Sequence, residues 1–244
     1  MDTIELNLEE THEITSSLDF YSRIWMGQYG EMLLCTGYLT GIFGDDPIQH
    51  KLEVIVRRMR DVTLPSTRHL GMSGFLGIWS NKTDDRAICA YDMKQVIRFA
   101  RAWHLHPEGG MTVDFYTPWI RGSLPEVTCS CMGSEEDFML TLQAEPLGLA
   151  LVVEALEVYG LGMRGQIAQM MDHFTDSPEA LELATATEPL FRKVADEAGW
   201  IVFGEGDDRI PKLRSRLLVL PGVAEQIETV RKGTWRHGTS DWLY

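Results

Sequence analysis

A repeat with a shift of 138 residues restricts this chain more than any other feature. Residues 18–33 read LDFYSRIWMGQYGEML and residues 156–171 read LEVYGLGMRGQIAQMM. Under the shift Leu18 matches Leu156, Tyr21 matches Tyr159, Gly27 matches Gly165, Gln28 matches Gln166 and Met32 matches Met170. Asp19 and Glu157 agree in kind, as do Ile14 and Val152. An alternating run from Ile4 to Leu8 precedes the first copy. A similar run, Met139 to Gln143, precedes the second, three residues out of register with the shift. Self-similarity of this kind reads as duplication of one structural unit. The expected organisation is an N-terminal α+β lobe over 1–137 and an acidic C-terminal lobe over 138–244, a diverged repeat of the first.

The matched positions have helical spacing. Ile14, Leu18, Tyr21, Trp25, Gln28, Met32 and Cys35 step by three and four, and Val152, Leu156, Tyr159, Met163, Gln166, Met170 and His173 step the same way. Each set is one face of a helix with a glutamine inside a mostly apolar seam. The expectation is two equivalent helices crossing near Gly27 and Gly165, with Gln28 and Gln166 bonded across the contact and Tyr21 and Tyr159 in the same seam.

Other elements follow from start and stop signals. Asp46-Pro47 starts a helix to about Asp61, Asp84-Asp85 caps one to about Trp103, Pro178 opens one to about Ala198, and Gly222 to Lys232 is a last helix. Met111–Trp119, Val127–Met132, Trp200–Phe203 and Leu213–Leu220 read as strands, and residues 72–79 as a buried extended segment or loop. The fold class expected is α+β, helix-dominated, with a small antiparallel sheet or ribbon and two lobes.

LDFYSRIWMGQ, DDRAICAYDMKQVIRFARAW and GGMTVDFYTPW together resemble a family of short, uncharacterised bacterial and phage-borne proteins. The resemblance covers residues 13–119, and the second half is then a diverged copy lacking the AYDMKQVIR helix. It brings no activity with it and implies a phage or prophage setting.

Recognised catalytic constellations are absent from the sequence. His104, His106, Cys129 and Cys131 offer two imidazoles and two thiols for a tetrahedral zinc site, but HxH with CxC is not a usual zinc-finger spacing. Four cysteines in 244 residues do not make a disulfide scaffold. Gly204-Glu-Gly206 lacks the third glycine of a dinucleotide loop and is followed by acids where a pyrophosphate would sit. Gly71-Met-Ser73-Gly-Phe misses the nucleophile elbow by one residue. No catalytic residue is assigned. His173 reads as a cation at a helix C-terminus.

Charge is the remaining lead. The net charge is −14, and residues 135–208 hold 16 acids against three Lys or Arg. Such a surface repels nucleic acid and anionic lipid and attracts basic partners. The candidate binding residues are Glu135, Glu136, Asp137, Glu145, Asp172, Asp176, Glu179, Glu182, Asp207 and Asp208. Arg57, Arg58, Arg60, Lys212, Arg214 and Arg216 are expected to pair internally with acids rather than to contact DNA. The N-terminus MDTIELNLEE does not read as a signal peptide, and no apolar run of about 18 residues is found. The expected location is therefore cytoplasmic, and the host cytoplasm if the chain is phage-encoded. The leading expectation is a non-enzymatic, acidic protein-binding module, in the phage setting an inhibitor of a host nucleic-acid-handling or defence protein. Its partner would be a basic protein, with no direct contact to nucleic acid or membrane. The alternatives are a metal- or carboxylate-dependent enzyme, and an assembly subunit that self-associates through Trp235, Trp242 and Tyr244.

Overall fold

The computed structural model describes residues 1–35, 47–65, 76–109, 117–118, 120–121, 127–197 and 208–233. The chain opens with strand β1 (Asp2–Asn7), which hands over directly to helix α1 (Leu8–Trp25). Asn7 makes that junction sharp. Its side chain accepts from the Glu10 N–H at 2.8 Å, and the Glu10 carboxylate accepts from the Asn7 N–H at 3.1 Å. This reciprocal cap satisfies two donors that a helix start otherwise leaves unpaired. Next come α2 (Glu31–Cys35), α3 (Pro47–Thr63) and α4 (Asp85–Leu105), then β2 (Val127–Met132) and β3 (Met139–Ala144). The second half continues with α5 (Pro146–Met163), α6 (Ile167–Met171), α7 (Pro178–Glu197), α8 (Arg209–Leu218) and α9 (Val223–Lys232). The fold is α+β and helix-dominated, with a small antiparallel sheet.

The sheet has the order β1-β3-β2, with both ladders antiparallel. A strand from the second half of the sequence thus lies between two from the first. Ile4, Leu6, Leu140, Leu142 and Ala144 turn inward and are buried. Thr3, Glu5, Asn7, Thr128, Ser130 and Gln143 are exposed on the opposite face, as a two-residue period requires. One continuous apolar core draws on both halves, with α1 packed against α4 and α5, and α5 against α8 and α9.

The repeat is visible in the backbone. α1 and α5 are both 18 residues long and start 138 positions apart. Each ends the same way. Gly27 N–H donates to Ile24 O and Gln28 N–H to Arg23 O, both at 2.9 Å; Gly165 N–H donates to Gly162 O at 2.9 Å and Gln166 N–H to Leu161 O at 3.0 Å. These paired bonds form a Schellman stop, which places the glycine in the left-handed region. The φ values are 87° at Gly27 and 65° at Gly165.

Three expectations change here. The seams from Ile14 to Cys35 and from Val152 to His173 are not single helices, because the Schellman glycines interrupt both. The glutamines do not bond to each other either: Gln28 accepts from Arg23 Nη1 at 3.1 Å and Gln166 from Arg164 Nε at 2.7 Å. The two copies touch earlier on the helices, where the Phe20 and Tyr159 rings are 5.7 Å apart and a Cβ on Gly162 would lie 3.2 Å from Phe20. The segment Leu213–Leu220, expected as a strand, lies mostly in α8, with Ile210, Leu213 and Leu217 buried on one face at helical spacing. The expected strand over 200–203 and most of that over 111–119 lie outside the described residues. So do Gly71–Phe75, Gly204–Asp207, Trp235, Trp242 and Tyr244.

α5 departs from the reading that no apolar run is long enough to cross a bilayer. It is 18 residues long, has a mean hydropathy of 1.4, and is 78% buried inside the protein. Here the apolar length serves as a central core helix, which accounts for burial on nearly every side.

Candidate functional site

Glu154 is a carboxylate in the middle of that apolar helix, and it is 1% exposed. A charge in such a place must be paired and hydrogen-bonded, because desolvation alone costs several kcal/mol. Two partners are brought from elsewhere. α6 ends at Met171, and the turn after it delivers His173, whose Nδ1 lies 2.5 Å from Glu154 Oε1. The last turn of α9 delivers Arg231, whose Nε donates to Glu154 Oε2 at 3.1 Å.

The residue after His173 extends the cluster into α1. The Phe174 ring sits 5.7 Å from that of Tyr21 and 5.0 Å from that of Trp25. The Arg86 guanidinium lies 3.4 Å over the Trp25 ring, a cation–π contact strengthened by exclusion of water. Arg86 is fixed there by Asp84, through two bonds of 2.8 Å, and donates through Nη1 to the Arg231 carbonyl at 2.5 Å. Burial pushes the Tyr21 hydroxyl well above its ordinary range, and the Glu154 charge adds to the rise. Tyr21 Oη and Trp25 Nε1 are buried beside each other, and the hydrogen bond offered by the Trp25 indole offsets part of the rise in the Tyr21 hydroxyl.

Of the seam residues named from the sequence, Tyr21, Trp25 and His173 reach this cluster. Tyr159 packs against Phe20, and the glutamines bond locally. His173 belongs to the cluster through its bond to Glu154, not through a helix terminus. Glu154, Arg231 and Arg86 were not singled out. The signal for Glu154 was present, since an acid inside LGLALVVEALEV has to find a partner.

The predicted acids divide differently. Glu135, Glu136 and Asp137 lie exposed in the β2–β3 turn, whereas Glu145 lies exposed at the far end of β3. The six residues of β3 separate them by about 20 Å at the usual strand rise. Asp172, Asp176, Glu179 and Glu182 form a second exposed group at the corner between α6 and α7. Glu179 pairs with Arg58 at 3.6 Å and Asp208 with Lys212 at 2.7 Å. Asp207 lies outside the described residues. The described acids are therefore spread over the β2–β3 turn, the end of β3, the corner between α6 and α7 and the start of α8.

Each of the six basic residues considered for DNA contact has an acidic partner. Arg57 and Arg60 meet Asp61, Arg58 meets Glu179, Lys212 meets Asp208, Arg214 meets Glu157, and Arg216 meets Glu10.

The predicted zinc ligands are held by other contacts. His104 Nε2 donates to the Gly133 carbonyl at 2.7 Å, and His106 is exposed at the end of α4. Cys129 and Cys131 share the inward face of β2 and pack against the core. Burial, helped by Cys131, pushes the Cys129 thiol up to about 12. Among the described residues, no three His, Cys, Asp or Glu side chains gather as a metal site.

No protein-family model matches the chain, and neither a curated protein nor a solved structure matches it.

Proposed function

We propose that this chain is a non-enzymatic, acidic binding module that works in the cytoplasm by contact with a basic protein. One observation carries the reading. Glu135, Glu136, Asp137, Glu145, Asp172, Asp176 and Glu182 are exposed and make no ion pair among the described residues, while the arginines of α3 and α8 are engaged by acids of the same chain. The charge left for a partner is therefore negative, which speeds encounter with a basic surface and disfavours nucleic acid. In the phage setting that the sequence resemblance implies, the partner is a host nucleic-acid-handling or defence protein.

The test is capture from nuclease-treated bacterial lysate with wild-type protein and two charge-reversed variants. One variant is Glu135→Lys/Glu136→Lys/Asp137→Lys and the other Asp172→Lys/Asp176→Lys/Glu182→Lys. A stoichiometric basic protein that is retained at low salt, then lost at high salt and from one of the variants, supports the reading. Equal retention by all three proteins at both salt concentrations overturns it. A second reading, an enzyme, draws on the Glu154–His173 pair, in which a carboxylate orients an imidazole as a general base requires. Against that role, the buried Glu154 carboxylate is also held by Arg231. A third, an assembly subunit, would give a mass that rises with concentration in sedimentation.

A further inference from the structure

We propose that the open edge of β2 is a docking site for an extended, basic segment of the partner protein, which adds there as a further strand. The inference rests on the acidic-module reading above and says where, and in what form, the partner binds. β2 is an outer strand of the β1-β3-β2 sheet, and it pairs with β3 in an unbroken register from Val127↔Ala144 to Met132↔Met139. Among the described residues, no backbone group of Val127–Met132 bonds to anything beyond that ladder. The outward N–H and C=O groups of such a strand are a ready template for another chain.

The other edge of the sheet shows how this protein closes a strand. On β1 the Glu5 carbonyl accepts from Arg216 Nη2 at 2.6 Å, the Asn7 N–H is held by the Glu10 carboxylate, and Asp2 and Glu5 are charged. β2 reads Val-Thr-Cys-Ser-Cys-Met, with no charge, no proline and no bulge. Those are the devices with which natural edges avoid pairing, and β2 has none of them.

The surroundings of β2 define the chemistry of the occupant. Glu135, Glu136 and Asp137 stand exposed in the turn at its Met132 end, and Glu145 stands exposed beyond Ala144, which pairs with Val127 at the other end. Both ends of an uncharged strand are therefore acidic, which suits a segment with Lys or Arg on each side of its paired residues. A second copy of this chain fits poorly, because antiparallel pairing of two β2 strands sets the turn acids of one copy beside Glu145 of the other. On the inward face Val127, Cys129 and Cys131 are only half-buried against the core, and the Arg101 charge of α4 acts on the Cys131 thiol. Side chains of the added strand that point to that face are therefore apolar, and the basic ones lie at its ends. Main-chain bonds supply the affinity of such an added strand, and the alternate side chains its specificity.

The experiment follows the backbone amides of the intact protein by two-dimensional ¹H–¹⁵N NMR. The probes are the peptide Lys-Lys-Val-Thr-Val-Thr-Val-Lys-Lys, the same peptide with prolines in place of its central Thr-Val-Thr, and the same peptide with glutamates in place of its lysines. The expected result with the lysine peptide is a saturable shift and slowed exchange of the Val127–Met132 amides, with β1 unmoved. The other two peptides should bind at least about tenfold more weakly, one for want of main-chain donors and one for its charge. Equal binding of the lysine and proline peptides overturns the edge pairing and leaves the acidic-module reading standing. Equal binding of the lysine and glutamate peptides overturns the basic occupant and that reading with it. β2 amides that no peptide moves, or that shift with protein concentration alone because a second copy takes the edge, also overturn the proposal. Glu135→Lys/Glu136→Lys/Asp137→Lys changes only an exposed turn and should weaken the lysine peptide about fivefold; unchanged affinity overturns the placing of its basic ends.

Discussion

Ile4 of β1 faces Leu142 of β3 across the antiparallel ladder, and the two are also 138 positions apart in the sequence. A residue paired with its own repeat counterpart shows that the two strands meet in the register of the sequence repeat. The strands therefore keep the same shift as the helices behind them, although the alternating pattern read from Met139 to Gln143 suggested a slip of three. The expectation is that the double exchange Ile4→Leu/Leu142→Ile is mild, below about 1.5 kcal/mol, because volume is conserved across the pair. Leu142→Asn places an amide in the dry face and should cost more than about 2 kcal/mol. Urea unfolding of the three proteins makes the comparison.

Removing Glu154 should be more costly than removing a surface acid. Glu154→Ala takes the buried partner of His173 and one partner of Arg231, whose side chain is 40% exposed and can turn to water, and should cost about 1–3 kcal/mol. Glu154→Gln keeps an acceptor and should fall between this variant and wild type. Glu179→Ala breaks the exposed pair with Arg58 and should stay within about 1 kcal/mol. Equal destabilisation by Glu154→Ala and Glu179→Ala in chemical denaturation would contradict the burial argument.

Gly165 is fixed by two separate constraints. Its φ of 65° is costly for any residue with a Cβ, and a Cβ there would lie 2.9 Å from the backbone of Arg192 in α7. Gly165→Ala should therefore lower stability by more than about 2 kcal/mol, combining left-handed strain with forced movement of α7. Gly30→Ala, where a Cβ meets nothing within 4 Å, serves as the control and should be neutral or slightly stabilising. Thermal melts of the two variants give the answer.

Stability should fall as the solution becomes alkaline. Burial raises the Cys129 thiol to about 12 and lifts the Tyr21 and Tyr29 hydroxyls above their ordinary range. In the unfolded chain these groups lose their protons at about 8.5 for the thiol and about 10 for the phenols. Between those values and the folded ones the native state holds more protons, so the free energy of unfolding declines with rising pH. The decline is expected to begin near pH 8.5 to 9 and to be shallower in Cys129→Ser. In the folded protein at pH 8.5, iodoacetamide should label Cys129 only after denaturant is added. A flat stability profile from pH 8 to 11 would refute this account.

Much of the architecture was legible because local signals agreed with the fold. Pro47, Asp84, Pro178 and Gly222 mark starts that the structure keeps within a residue or two, and the spacing of Gly27 and Gly165 exposes the repeat. Two elements were misread for identifiable reasons. A step of three and four continues unbroken from Trp25 through Gln28 to Met32, so periodicity could not reveal that the helix stops at Gly27. In α8 the run Leu217 to Leu220 suggests a strand, while the decisive spacing of Ile210, Leu213 and Leu217 lies one turn earlier. The site was legible only in part. The exposed acids can be counted from the sequence, but Glu154, His173 and Arg231 come from three elements and meet only after packing.

The middle position of β3 also sets an order of events during synthesis. β1 leaves the ribosome first and β2 follows, yet residues 139–144 must emerge before either strand has its neighbour. Until then the nascent chain carries two strands with unsatisfied edges, the condition that invites pairing with other chains. Closing a sheet over such a separation is slow compared with forming the helices around it. The N-terminal half is thus expected to depend on holding chaperones while it waits, and the sheet to zip up only after the second copy's strand has been made.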